Sequence, residues 1–190
     1  MEGLSVEAPD HAYTLVDTME YRRWGRMAED SLPGTGMNPE LVANSILIRA
    51  FRDKIPVSPM KLQKLLFFVT CLYQRNTSVR LLTESFQPWK YGPVVRSVYD
   101  EFKGFGGSPI TSYARDAQGN AYAANEDSNP PLKQALDEIW SHMKNYTAVQ
   151  LSRITHIPGS AWSKANAGNK RFVGSRDMAN DHTFDPYLAI

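Results

Sequence analysis

The sequence predicts an α+β fold: a predominantly helical single domain with a small antiparallel β-sheet or hairpin. Five or six segments carry apolar residues at helical spacing, and several of them begin at a capping residue. Short non-helical segments, one pair of them beside a turn rich in residues that tolerate positive φ, favour a minor sheet. The 190 residues are 42% hydrophobic, which suffices for one buried core without disulfides.

Composition excludes several classes of protein. The chain has one cysteine, Cys71, so it cannot form an intramolecular disulfide or a thiolate metal cage. Its apolar runs are too short to span a bilayer, and its first twenty residues hold five acids and no Lys or Arg, unlike a secretory signal. A single thiol fits a reducing compartment, so we expect a soluble cytoplasmic protein that has no membrane partner.

The chain divides into an N-terminal extension, residues 1–36, and a main domain, residues 37–190. Asp10 is a candidate cap for a helix that carries Leu15 and Met19 at helical spacing. The run Ser-Leu-Pro-Gly-Thr-Gly at 31–36 is typical of a linker.

Two cap-plus-proline pairs begin the first two helices of the main domain. Asn38 precedes Pro39, and Ser58 precedes Pro59. The second helix is the most periodic in the chain, with apolar residues at Leu62, Leu65, Leu66, Val69 and Leu72. This stripe puts Lys61, Lys64 and Arg75 on the flanks of the helix.

The middle of the chain is predicted to contain an edge strand, a helix and a hairpin. Residues 82–89 form a short segment that is apolar, β-branched and aromatic in places and is bounded by Pro88, which favours extended structure or an edge strand. Gly92 and Pro93 are expected to open a helix that ends at the glycines of 104–107. Residues 110–114 and 121–124 flank the turn sequence Asp-Ala-Gln-Gly-Asn and predict a hairpin.

Helices dominate the C-terminal third. Pro130 begins a helix with one apolar stripe, and Thr147 with Gln150 forms a capping-box signature for the next. A short helical turn is expected near Ser160, and a last one near Asp185.

Charge is uneven although the net charge is only +1. Residues 41–103 carry ten Lys or Arg against four acids, which suggests an acidic macromolecular partner for this stretch. In the alternative interpretation these cations only solvate the outer faces of helices. The near-neutral total, the acidic first twenty residues and the lack of a convincing recognition helix disfavour nucleic acid as a partner.

Signatures of catalysis, metal binding and cofactor binding are absent from the sequence. The glycines of 104–107 follow a helix, whereas a phosphate-binding loop precedes one. The acids around His182 are explained more simply as caps in a polar tail, and His156 as a capping residue at a helix end. We therefore predict no catalytic residues, no metal site and no cofactor, and hence no enzyme.

Two clusters of residues remain as candidates for a structural or a recognition role. Trp-Lys-Tyr-Gly-Pro-Val at 89–94 either staples a strand to a helix or forms an amphipathic recognition surface. The second cluster combines Leu-Ser-x-x-Thr-His at 151–156 with Gly-Ser-x-Trp at 159–162.

Together with Lys-Leu-Gln-Lys-Leu-Leu-Phe-Phe at 61–68 and Val-Tyr-Asp-Glu-Phe-Lys at 98–103, these blocks resemble the Panacea domain of the SocA-like antitoxins, a family often found in phage-associated proteins. The resemblance covers about residues 38–166, with all blocks in order. Pro88 departs from the pattern, where the family more commonly has a small residue, and residues 1–36 are not matched.

The resemblance implies an antitoxin of a toxin–antitoxin module, which neutralises its cognate toxin by direct protein–protein binding. One family member acts instead as an adaptor that delivers its toxin to a protease, and this is the alternative function. Candidates for contact with the partner are Lys61, Lys64, Trp89, Lys90 and Tyr91. Motif positions with an expected structural role are Gln63, Gly92, Pro93, Thr155, His156 and Trp162. A small hydrolase centred on His156 and a DNA-binding autoregulator are further alternatives.

Overall fold

A 19-residue helix, buried on nearly every side, organises the part of the chain that the structure describes. The computed structural model describes residues 31–188. The helix predicted after Asp10 lies outside the described residues. Within residues 31–188, no helix is both long and apolar enough to cross a bilayer.

Seven helices and one two-stranded sheet make up residues 31–188, which confirms the predicted α+β class. The helices are α1 Pro39–Asp53, α2 Pro59–Thr77, α3 Arg96–Phe102, α4 Pro130–Met143, α5 Ala148–Thr155, α6 Ala161–Ala167 and α7 Ser175–Ala179. The strands are β1 Gln87–Trp89 and β2 Gly92–Val94. Single 3-10 turns cover Lys103–Phe105 and Asp185–Tyr187.

The predicted caps begin the helices as expected. The Asn38 side chain accepts a hydrogen bond from the backbone N–H of Glu40 at 2.8 Å, at the start of α1. Thr147 and Gln150 form a complete capping box at the start of α5. These short-range signals were readable because each involves residues no more than three positions apart.

The central helix α2 packs against α1, α3, α4, α5, α7 and β2. Its aromatic residues Phe67 and Phe68 meet Phe86 and Phe184 with ring centroids 5.3 and 5.1 Å apart. Because neighbours surround α2, positions outside its apolar stripe are buried as well.

The flanks of α2 are therefore not exposed to solvent. Lys61 is 7% exposed and Lys64 is 1% exposed. Arg75 pairs with Asp185 at 2.8 Å, with 16% of the arginine side chain exposed. The interpretation that these cations solvate an outer helix face is wrong for Lys61 and Lys64.

The antiparallel hairpin lies earlier in the chain than the sequence predicts. Gln87 pairs with Val94, and Trp89 with Gly92, so Lys90 and Tyr91 form the turn. The expectation that Gly92 and Pro93 open a helix is wrong, since both belong to β2 and α3 begins at Arg96.

The predicted hairpin at 110–124 has its turn but no strands among these residues. The backbone N–H of Asp116 donates to the carbonyl oxygen of Asn120 at 2.8 Å. Beyond this turn, the two arms bond to α1 instead of to each other: the amide nitrogen of Asn44 donates to the carbonyl oxygens of Ala114 and Tyr122, at 3.0 and 2.7 Å.

Residues 33–37 run beside residues 79–83. The backbone N–H of Met37 donates to the carbonyl oxygen of Leu81 at 2.7 Å, and the N–H of Thr83 donates to the carbonyl oxygen of Met37 at 2.9 Å. The Pro/Gly segment before Met37 is thus paired through its backbone with residues 79–83.

Candidate functional site

Most residues singled out by sequence meet at the β1–β2 hairpin. We call residues 89–95, together with the side chains that bind their backbone, the clamped hairpin. Its sequence-predicted members are Gln63, Lys64, Trp89, Lys90, Tyr91, Gly92, Pro93, His156 and Trp162. Thr155 lies beside Gly92 and donates its hydroxyl hydrogen to the carbonyl oxygen of Ser152. Lys61 makes its hydrogen bond elsewhere, to the carbonyl oxygen of Lys144 at the end of α4, at 2.5 Å.

Helix α2 holds the outgoing arm of the hairpin. The Gln63 amide donates to the carbonyl oxygen of Val95 at 3.1 Å and accepts from the Val95 N–H at 2.9 Å, as a neighbouring strand would. The Lys64 ammonium donates to the carbonyl oxygen of Pro93 at 3.0 Å. Two consecutive side chains of one helix therefore replace the sheet partner that β2 lacks on this side.

Helices α5 and α6 hold the turn itself. The Ser152 hydroxyl donates to the carbonyl oxygen of Tyr91 at 3.0 Å, and Nε2 of His156 lies 3.1 Å from the carbonyl oxygen of Lys90. The indole N–H of Trp162 donates to the carbonyl oxygen of Trp89 at 3.1 Å. The imidazole also stacks on the indole, with ring centroids 3.8 Å apart.

Ser152 is a member of this group that is absent from the candidates predicted from sequence. It precedes His156 by four positions on α5, so the two side chains share a helix face. That spacing, together with its place in the Leu-Ser-x-x-Thr-His block, was the available signal.

Gly92 is required by the close approach of helix side chains. Its φ is +106°, and a Cβ atom there would lie 2.8 Å from both Nζ of Lys64 and Oγ1 of Thr155. A side chain would collide with the clamp and would also be strained in this backbone conformation. The family-motif residues Gly92, Thr155 and Lys64 thus form one packing unit.

Lys64 is the most unusual side chain of the site. It is 1% exposed, and burial lowers its pKa to about 7. Burial likewise lowers the pKa of Lys61. Side chains this enclosed are not part of the outer surface, so we leave Lys61 and Lys64 out of the outer contact surface, although Lys64 lines the inner end of a groove described below.

The turn of the clamped hairpin projects from this anchored base. Tyr91 is 64% exposed, and Lys90 is exposed with its ammonium 5.5 Å from the centre of the Tyr91 ring. Trp89 is partly buried and packs edge-on against Tyr99, with centroids 4.8 Å apart. Of the sequence-predicted contact residues, Lys90 and Tyr91 are the exposed ones.

Two grooves flank Tyr91. The first has a volume of about 560 Å³ and runs between the turn and α5, where Met60, Val149 and Arg153 contribute to its walls. The second, which we call the lysine groove, has a volume of about 470 Å³. Its principal lining residues are Met60, Lys64, Trp89, Lys90, Tyr99 and Lys103. The sequence could not group these residues, because they come from α2, the hairpin, α3 and the turn that follows α3.

Cys71 is enclosed, and the ring nitrogens of His156 are engaged by backbone oxygens. Cys71 is fully buried, and burial raises the pKa of its thiol, which disfavours the nucleophilic thiolate. Nδ1 of His156 lies 2.6 Å from the carbonyl oxygen of Ser152, so both ring nitrogens face backbone oxygens. Within residues 31–188, no three His, Cys, Asp or Glu side chains are placed to hold a metal ion.

Comparison with known proteins identifies the family. The family model described as "Antitoxin SocA-like, Panacea domain" matches residues 62–163, a range that includes every side chain of the clamp. The chain is 29% identical over 124 residues to Antitoxin SocA of Caulobacter vibrioides (strain NA1000 / CB15N). This match covers 64% of the present chain and 66% of that relative, slightly less than two thirds of its length. No solved structure matches the chain. The chain belongs to the SocA-like antitoxin family and contains its Panacea domain.

Proposed function

We propose that this protein is the antitoxin of a toxin–antitoxin module and neutralises its cognate toxin by binding it directly through the turn of the clamped hairpin. Membership of the antitoxin family supports the role, and the projecting Lys90–Tyr91 turn supports the mode of action. The proposal includes no catalytic activity and no cofactor, with the toxin as the partner.

The single observation that carries this proposal is that an exposed turn belongs to a hairpin, residues 89–95, whose backbone carbonyls lie within hydrogen-bond distance of five side chains. These side chains are Gln63, Lys64, Ser152, His156 and Trp162. A turn ordered before binding loses little conformational entropy when a partner docks on it. An exposed tyrosine on a rigid base, with a cavity on each side, is a typical anchor of a protein interface.

The proposal is tested by rescue from the toxin. The adjacent reading frame is expressed alone to establish toxicity, and then together with this protein or its variants. Tyr91→Ala removes the exposed ring while its backbone carbonyl still accepts from Ser152, so we expect normal protein levels and loss of rescue.

Tyr122→Ala is the matched control, because Tyr122 is 58% exposed and lies in the segment bonded to α1, away from the clamp. It should rescue as well as the unmodified protein. Equal rescue by Tyr91→Ala and Tyr122→Ala at equal protein levels would count against the hairpin as the contact surface.

The same assay separates direct inhibition from delivery to a protease. In a host that lacks its unfoldase–protease, a direct inhibitor still protects the cell and the toxin persists in an inactive complex. Loss of protection in that host would favour the adaptor function instead.

A further inference from the structure

The lysine groove combines an apolar wall with lysine ammonium groups. Of the described residues that line it, three are lysines, Lys64, Lys90 and Lys103, and none carries a carboxylate. Met60, Trp89, Val94 and Tyr99 supply apolar and aromatic surface. Such a groove is complementary to a group that is both apolar and negatively charged.

Lys64 lies at the inner end of the lysine groove. An ammonium group has three N–H donors, and the contact found for Lys64 is with the carbonyl oxygen of Pro93. No carboxylate of the described residues pairs with it, although it is almost completely enclosed. A buried cation without a counter-charge is destabilising, so a carboxylate brought to it would gain a strong charge-assisted hydrogen bond.

The two lysines at the outside of the groove differ in their partners. Lys103 pairs with Asp100 at 2.8 Å, whereas Lys90 contacts the face of Tyr91 and has no ion pair with a described residue. Positive charge at the mouth would attract an anion, and the inner ammonium would hold it.

We propose that the lysine groove binds a carboxylate carried on an apolar segment of the partner, with the Lys64 ammonium as its buried hydrogen-bond donor. This rests on the proposed function and specifies the chemistry of the toxin segment: a side-chain or C-terminal carboxylate next to an apolar or aromatic side chain. The apolar portion packs between Met60, Trp89 and Tyr99, while the carboxylate displaces solvent from the inner end.

A carboxylate fits this site better than a phosphate. A phosphate is typically held by several donors, such as an arginine fork or a series of backbone N–H groups. Here the inner end offers one ammonium beside apolar walls, which matches a single charge and a short apolar stem.

The test uses two small probes, 4-phenylbutyrate and 4-phenylbutanol, and the full chain with lysine side chains labelled for NMR. The probes share the same apolar portion and end in a carboxylate and in an uncharged CH₂OH group, respectively. We expect the acid to shift the ε-CH₂ signal of Lys64 and to bind about tenfold or more tightly than the alcohol, because charge-assisted hydrogen bonds are strong. Equal affinity for the two probes, or no binding of either, would overturn the proposal.

Variants assign the preference to one lysine. Lys64→Met should abolish the preference for the acid, whereas Lys103→Met, at the mouth and already paired with Asp100, should retain most of it. A preference that survives in Lys64→Met would also overturn the proposal. Because the Lys64 signal is followed in the unmodified protein, the result does not depend on any variant folding.

These measurements need no toxin, so their failure is distinct from failure of the proposed function. A groove that prefers the acid in a protein that fails to rescue cells would leave the site intact and refute the antitoxin mechanism. Rescue of cells by a protein whose groove binds the acid and the alcohol equally would refute the groove proposal and leave the antitoxin function intact.

Discussion

Arg49 on α1 and Lys64 on α2 are both buried cations on helices that pack together, but their surroundings differ sharply. Arg49 is 5% exposed and pairs with Glu126 and Asp137 at 2.7 and 2.6 Å. Burial disfavours its charge, yet the hydrogen bonds to these carboxylates outweigh burial and raise the pKa of Arg49. The Lys64 ammonium donates to one backbone carbonyl, that of Pro93, and burial lowers its pKa.

The difference separates a cation whose charge is paired within the fold from one that has a backbone contact but no carboxylate partner among the described residues. Arg49 ties the segment 125–129 and α4 to α1, so its charge is fully used within the domain. Lys64 anchors Pro93 with a single bond at the expense of desolvating an ammonium. Features that disagree with stability are expected where a protein binds something, which is the reason for linking Lys64 to the partner.

The largest change in unfolding free energy is expected when Arg49, the paired cation, is replaced. Arg49→Met leaves Glu126 and Asp137 without their shared partner, and we expect unfolding free energy to fall by about 3 kcal/mol. Urea denaturation measures it. Arg52→Met is the control on the same helix, because Arg52 has 64% of its side chain exposed and should change stability by less than about 0.5 kcal/mol. Equal losses in the two variants would contradict the role given to Arg49.

The second largest effect is expected at Lys64, where the replacement should increase the unfolding free energy. Lys64→Met keeps a similar apolar volume and removes the buried ammonium, so we expect the protein to become more stable by about 1–3 kcal/mol at pH 6.5. The gain is reduced by the lost hydrogen bond to Pro93. Destabilisation at this pH would show that the ammonium is well accommodated in the fold.

The pH dependence follows from the lowered pKa of Lys64, about 7 in the folded protein. In the unfolded chain lysine titrates near 10.4, so between these values the unfolded state binds the extra proton. Stability therefore rises with pH from about 7 towards 10, and the penalty is greatest below pH 7. The difference between the unmodified protein and Lys64→Met should shrink between pH 6.5 and 9 in denaturation experiments. A difference that stays constant over this interval would contradict the assignment.

The smallest effect is expected at Lys61, which lies between the two cases. It is 7% exposed, and its ammonium donates to the carbonyl oxygen of Lys144 at the C-terminal end of α4, where the helix dipole favours a cation. The favourable contact and the burial penalty nearly cancel, so Lys61→Met should change the unfolding free energy by less than about 1 kcal/mol. A loss of unfolding free energy as large as that of Arg49→Met would show that Lys61 stabilises the fold as Arg49 does, which would contradict this expectation.

Local signals predicted the helices well. The starts at Asn38, Ser58 and Thr147 were read correctly because a capping side chain bonds to a backbone N–H two or three residues away. The hairpin was misplaced because Gly92 and Pro93 suit a helix start as well as an extended arm. The choice between them is made by Gln63 and Lys64, about thirty residues earlier in the chain.

The site was predicted in part for the same reason. Family-motif blocks named most side chains that converge on the turn, but burial of Lys64 could not be read from the stripe on α2. That stripe describes a helix with one covered face, whereas α2 is covered on nearly all sides. The grooves depend on the packing of four segments and left no local pattern.

The most direct test of the account is the affinity of the purified toxin for this protein, measured by calorimetry with the same two tyrosine variants. We predict a stable complex that Tyr91→Ala weakens by about thirtyfold or more, as expected for an interface anchor, and that Tyr122→Ala leaves unchanged. Absence of a complex with the unmodified protein, or equal affinities for both variants, would contradict it.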